Sequence, residues 1–124
     1  MPVHAIGGIF FRARDPEALA AWYAGHLGVG PGLSPFGATE AFGWTAEGGP
    51  LIFAPFREET DYFPPAQGTM INFRVTALDE MIATLSAANI AVETRPEWDS
   101  PETGRFARVH DPEGNAIELW EAPA

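Results

Sequence analysis

The sequence predicts an α+β fold: two tandem βαβββ modules forming one curved mixed sheet, a cup, with the helices on its outer face. Two observations carry this. First, the chain repeats itself. Met70-Ile71-Asn72-Phe73-Arg74 echoes Gly8-Ile9-Phe10-Phe11-Arg12, with the Ile, the second Phe and the Arg in common. Gly114-Asn115-Ala116-Ile117-Glu118-Leu119 likewise matches Gly48-Gly49-Pro50-Leu51-Ile52-Phe53. Second, strand-like alternation gives way to helical spacing and returns within each copy. The 124 residues thus read as a single domain, with module one over about residues 5–56, a linker over about 57–68 and module two over about 69–122.

The elements follow in order. Residues 6–12 alternate, with Ile9 and Phe11 on one face and Gly8, Phe10 and Arg12 on the other, which predicts a strand. Asp15 is a helix N-cap and Pro16 suits the first helical position. Leu19, Trp22, Tyr23 and Leu27 then follow at helical spacing until Gly28 ends the run. Residues 29–38 are rich in glycine and proline and read as a loop or poor edge strand. Residues 40–45 and 50–54 read as strands joined by a turn at Glu47-Gly48-Gly49. Phe56, Tyr62 and Phe63, in and beside the linker, read as anchors on the body rather than a lid over a ligand. In module two, residues 70–74 give a strand and residues 78–88 a helix, with Leu78, Ile82 and Leu85 inward and Asn89 as a left-handed cap. Residues 90–95 and 105–110 give two more strands. The turn Asp111-Pro112-Glu113-Gly114-Asn115 leads into the last strand, Ala116 to Glu121.

Composition narrows the function classes. A 46% hydrophobic chain of this length can bury a real core. No apolar run approaches a membrane span, and no basic-then-apolar leader opens the chain, which suggests a cytoplasmic protein. The absence of cysteine excludes disulfides and thiolate ligands. A net charge of −10 disfavours nucleic acid and anionic membrane as partners. All seven basic residues are arginine, so lysine Schiff-base chemistry is excluded and any cationic site is a guanidinium fork.

Alternation assigns the two sheet faces. Ile9, Phe11, Leu51, Phe53, Ile71, Phe73, Val75, Ala107, Val109, Ile117 and Leu119 should face the helices. The other face carries Gly8, Phe10, Arg12, Ile52, Met70, Asn72, Arg74, Phe106, Arg108, His110, Glu118 and Trp120. A merely wet face would be more uniformly polar, so this mixture predicts a ligand-binding cup. The candidate ligand-binding residues are Phe10, Arg12, Met70, Asn72, Arg74, Arg108, Glu118 and Trp120. His4 and His26 read as ordinary surface or helix residues.

With these residues in place, the chain resembles the vicinal oxygen chelate superfamily of glyoxalase I, bleomycin- and fosfomycin-resistance proteins and extradiol dioxygenases. The resemblance rests on the repeated module, on Arg14-Asp15-Pro16-Glu17 opening a helix with Trp22-Tyr23 and His26-Leu27-Gly28, and on Asp111-Pro112-Glu113-Gly114-Asn115 followed by Ile117-Glu118-Leu119. The superfamily's four metal positions correspond here to Gly8, Ile52, Met70 and Glu118. Only Glu118 is a hard-metal ligand, and a catalytic centre normally uses about three protein ligands. No metal site is therefore predicted, and no cofactor. A divalent ion entering through substrate oxygens, with Glu118 as one ligand, is disfavoured.

Two functions follow from different classes. One is a glyoxalase- and bleomycin-resistance-like small-molecule binding protein with a degenerate metal site, its cup suited to an anionic or aromatic ligand. The other is a metal-assisted or Glu-base lyase or isomerase, with Glu118 as the general base on an acidic carbon beside a carbonyl. The plainer alternative for Glu118 is a buried carboxylate paired with an arginine. For the arginines it is pairing with Glu118, Glu40 or Glu47. The resemblance also implies a homodimer whose cups are completed across the interface.

Overall fold

The computed structural model describes residues 2–30, 44 and 46–124. The chain divides into two units, Met1–Gly43 and Trp44–Ala124.

In the first unit, Asp15 and Pro16 start helix α1, Pro16–Trp22, as their chemistry dictates. The Asp15 side chain accepts a hydrogen bond from the Ala18 amide at 3.1 Å, satisfying a first-turn N–H that has no helical partner. The helix then widens into a π turn, Tyr23–Leu27, and Gly28 stops it at φ 67°. Leu19 and Tyr23 are its buried side chains, and Phe11 packs edge-on against Tyr23 at 6.3 Å. Residues 6–12 form no strand, contrary to expectation: Ile9, Phe10 and Phe11 are 57%, 85% and 48% exposed. Alternation records which faces could be buried. It makes a strand only where a neighbour satisfies the backbone, and no ladder reaches these residues.

The second unit holds a three-stranded mixed sheet. Strand β1 is Ile71–Arg74, helix α2 is Leu78–Ala87, β2 is Arg105–His110 and β3 is Ala116–Glu121; a single 3-10 turn, Pro96–Trp98, precedes β2. Strand β3 is central. It pairs parallel with β1 and antiparallel with β2, so α2 lies on the crossover that a parallel pair requires. Ala77 enters α2 at φ 52°, and the Leu78 amide donates to Glu121 Oε1 at 3.4 Å. Asn89 follows the helix at φ 63°, as its sequence position predicts. Leu78 and Leu85 join Ala107, Val109, Ile117 and Leu119 in a core in which each is at most 1% exposed. The expected inward face of β2 and β3 is thus the observed one. Ile82, Ile71, Phe73 and Val75 are half-buried at its margin.

The turn before β3 is self-contained. Asp111, 4% exposed, accepts from the amides of Glu113 at 2.9 Å and Asn115 at 3.0 Å and from the Asn115 side chain at 2.7 Å. Gly114 supplies the positive φ of 84°. Two expected strands of this unit do not form. Residues 90–95 contribute one antiparallel bridge, Glu93 with Arg108. Residues 50–54 join no ladder, and Leu51, Ile52 and Phe53 are 61%, 70% and 83% exposed. Pro50 lacks an amide donor, and the Arg74 guanidinium donates to the Gly48 carbonyl at 2.8 Å and that of Pro50 at 3.2 Å, taking acceptors a strand partner would use. The strand expected over residues 40–45 lies outside the described residues, apart from Trp44, which is not in a strand.

Candidate functional site

Strand register builds the site. Glu118 lies mid-β3, level with Asn72 of β1 and Arg108 of β2, so period-two alternation turns all three to one face. Glu118 is a buried charged residue, 7% exposed, in the middle of the sheet. An isolated carboxylate there would carry a large desolvation cost, which hydrogen bonds must offset. Asn72 Nδ2 donates to Glu118 Oε1 at 2.8 Å. The Tyr62 hydroxyl donates to Oε2 through a short hydrogen bond.

Tyr62 comes from the segment before β1, and Gln67 sets where it arrives. The Gln67 side chain donates to the Ala116 carbonyl at 2.9 Å and accepts from the Ala116 amide at 2.9 Å. It thereby mimics a strand partner two residues from Glu118 and pins the segment against β3. Around the phenol lies an aromatic cluster: Phe56 stacks on Tyr62 at 5.7 Å and Trp98 meets it edge-on at 6.3 Å. Burial, then the hydrogen bond to Glu118 and that carboxylate's charge, push the Tyr62 hydroxyl up to about 12; the Arg108 charge opposes them.

Among the described residues Arg108 is held without a carboxylate. Its guanidinium lies 4.7 Å from the centroid of Tyr62 and 5.4 Å from that of Trp98, in cation-π contact with both. Its Nη2 points at Met70 Sδ at 3.7 Å, and its buried Nε has no hydrogen-bond partner among the described residues. Glu118 and Arg108 face each other in register, yet they form no ion pair with each other, unlike Arg95–Glu93, Arg105–Asp79 and Arg105–Glu121. Pairing of Glu118 with an arginine, the plainer expectation, is replaced by two neutral donors. Arg74 is likewise turned to the backbone carbonyls of residues 48 and 50 rather than to Glu47, and Glu40 lies outside the described residues.

The expected site residues therefore divide. Met70, Asn72, Arg108 and Glu118 come together. Trp120 shares their face, but its indole donates to the Thr103 carbonyl at 2.7 Å and its ring stacks on Phe106 at 6.2 Å. Phe10 and Arg12 belong to the first unit and are exposed. His110 pairs with Ala116 and is exposed, and His26 is an exposed residue of the π turn beside Trp22. Tyr62, Phe56 and Trp98 are additions. The only signal for Tyr62 and Phe56 was the density of aromatics around a proline-rich linker, which reads equally as anchoring.

A profile of the glyoxalase-like domain matches residues 8–120. The chain belongs to this glyoxalase-like family. The vicinal oxygen chelate resemblance drawn from the closing turn and the repeat is thus the family found. Among solved structures the chain is similar to TnmS3, an antibiotic binding protein from Streptomyces sp. CB03234, at 19% identity over 98% of each chain with a TM-score of 0.56. At that identity the likeness is one of fold. No curated protein matches the chain.

The superfamily's metal can be tested against these donors. Glycine at 8 and isoleucine at 52 offer no side-chain ligand, and the Met70 thioether faces the Arg108 cation. Both Glu118 oxygens already hold hydrogen-bond donors. Among the described residues no group of three or more His, Cys, Asp and Glu side chains could hold a metal ion. The donor set does not fit a divalent ion. No helix among the described residues is long and apolar enough to cross a membrane.

Proposed function

We propose that the chain is a metal-free small-molecule binding protein of the glyoxalase-like family, with the Glu118 face as its binding surface. One observation carries this reading. A buried carboxylate and a guanidinium face each other in register, yet each is held by aromatic or neutral groups, and the Arg108 Nε has no acceptor among the described residues. An unsatisfied buried donor costs about 1–3 kcal/mol, so a face kept only for stability has every reason to pair the two charges. Apolar walls with a few convergent polar groups are what a small organic ligand requires. The fold shared with an antibiotic binding protein agrees with this reading.

The finer architecture belongs to the same proposal: two tandem βαβββ modules, a cup, and a cytoplasmic homodimer that completes it. The exposed apolar side chains of residues 9–11 and 51–53 support it, since such runs are ordinarily covered by a partner. The lyase or isomerase alternative has less support, because Glu118 must take a proton from carbon while both its oxygens hold donors. The test is calorimetric titration of the purified protein with a panel of aromatic and anionic small molecules, alongside metal analysis of protein prepared without chelator. Saturable binding without bound metal is the expected result. Near-stoichiometric divalent metal, or turnover lost with Glu118→Ala, would overturn it.

A further inference from the structure

We propose that the ligand of this site is a hydroxyarene, and that the Tyr62 side chain is its built-in stand-in. The proposal rests on the small-molecule binding reading and names the ligand class. The chain displays what the site recognises. An aromatic ring lies over the Arg108 guanidinium at 4.7 Å, stacks on Phe56 at 5.7 Å, meets Trp98 at 6.3 Å and donates its hydroxyl to Glu118 Oε2.

Each contact selects for part of that chemistry. A carboxylate accepts hydrogen bonds and repels anions, so Glu118 calls for an O–H or N–H donor. A guanidinium without a carboxylate is held by an electron-rich ring face, and a hydroxyl substituent enriches the ring. An aliphatic alcohol would satisfy Glu118 and leave Arg108 with the Trp98 ring but without the closer ring face that Tyr62 supplies. An arene without a hydroxyl would cover Arg108 and leave a carboxylate oxygen without its donor, a mismatch a buried polar site rejects strongly.

Tyr62 is suited to give way. It is half-buried, and its segment lies outside every helix and strand of the sheet unit. The firm attachment of that segment, Gln67 on Ala116, lies five residues further on and does not depend on the phenol. A ligand ring must displace the phenol, so its apparent affinity is reduced by the fraction of molecules in which Tyr62 is latched.

The test uses calorimetry at neutral pH with three probes: 2-naphthol, 2-methoxynaphthalene, which has the ring without the O–H, and 2-naphthoate, which is anionic. The proteins are wild type, Tyr62→Phe and Glu118→Leu. Tyr62→Phe removes the latch hydroxyl without opening a hole, so tighter binding cannot be ascribed to an artificial cavity. The expected results are naphthol binding at least about tenfold tighter than the ether in wild type, and about tenfold tighter again in Tyr62→Phe. Glu118→Leu, which offers no acceptor, should bind naphthol and ether alike. Ether or naphthoate binding as tightly as naphthol overturns the hydroxyarene assignment and leaves the binding reading standing. Naphthol binding weakened or unchanged by Tyr62→Phe overturns the stand-in role. No binding of any probe to any of the three proteins overturns the binding reading itself.

Discussion

The hydrogen bond between Tyr62 and Glu118 should be measurable as a coupling free energy in a double-mutant cycle of Tyr62→Phe and Glu118→Leu. Tyr62→Phe leaves Glu118 Oε2 buried without its donor. Glu118→Leu leaves the Tyr62 hydroxyl and Asn72 Nδ2 without an acceptor but also removes a desolvated charge, so its own sign is not diagnostic. The cycle isolates the pair. A hydrogen bond to a charged group contributes about 1.5–3 kcal/mol, and the half-buried Tyr62 places this one at the low end, about 1.5 kcal/mol. The same cycle with Asn72→Ala should give a smaller coupling, about 0.5–1 kcal/mol, because Asn72 is exposed and water replaces its bond more easily. Urea denaturation with a shared m-value reads both. A Tyr62–Glu118 coupling below about 0.5 kcal/mol, or one smaller than the Asn72 coupling, would mean that the phenol does not rest on the carboxylate in solution.

Three other outcomes are expected. Tyr62 should ionise near pH 12 rather than at the ordinary 10.0, as followed by tyrosinate absorbance in wild type and Tyr62→Phe. Because its folded pKa is raised, the native state holds the proton longer: the Tyr62 contribution to stability is full below about pH 10 and is lost as pH rises towards 12. Gly104→Ala should destabilise by about 2 kcal/mol or more in urea melts, since Gly104 sits at φ 100° and a Cβ would overlap the Glu121 carbonyl oxygen and press on Trp120. Asp111→Ala should cost about 2–4 kcal/mol in the same assay, through loss of three hydrogen bonds from a buried carboxylate, while leaving probe binding at Glu118 intact.

Much of the sheet unit was legible in the sequence because its signals are local and agree. Asp111, Gly114 and Asn115 specify the turn, Asn89 the end of α2, and the Ile117/Leu119 and Ala107/Val109 alternations the buried face. Residues 6–12 carry the same alternation as β1, sharing an isoleucine, a phenylalanine and an arginine with it, and yet hold no strand. Periodicity cannot supply a hydrogen-bonded neighbour, which β3 provides for residues 71–74. Residues 90–95 fail more narrowly, keeping one bridge to Arg108 where a ladder was expected. The site divides along the same line. Asn72, Arg108 and Glu118 followed from alternation and register. Tyr62 comes from an irregular segment and Trp98 from a single 3-10 turn, where sequence spacing says little about the direction of a side chain.

The placement of Tyr62 also explains why Glu118 and Arg108 do not meet. Residues opposite one another on antiparallel strands have Cβ atoms about 5 Å apart, well within reach of two long side chains. Pairing them would give Arg108 Nε the acceptor it lacks among the described residues and neutralise the buried carboxylate in one step. Instead one side chain serves both groups: its hydroxyl satisfies Glu118 and its ring face carries Arg108. On the proposed binding reading, Tyr62 is a wedge as well as a latch: it occupies the carboxylate and covers the cation until a ligand offers both functions in its place. A purely structural pair would gain nothing from being separated. The proposed binding role is therefore marked less by the carboxylate, which the fold could have neutralised, than by the aromatic side chain that stands in place of the ion pair.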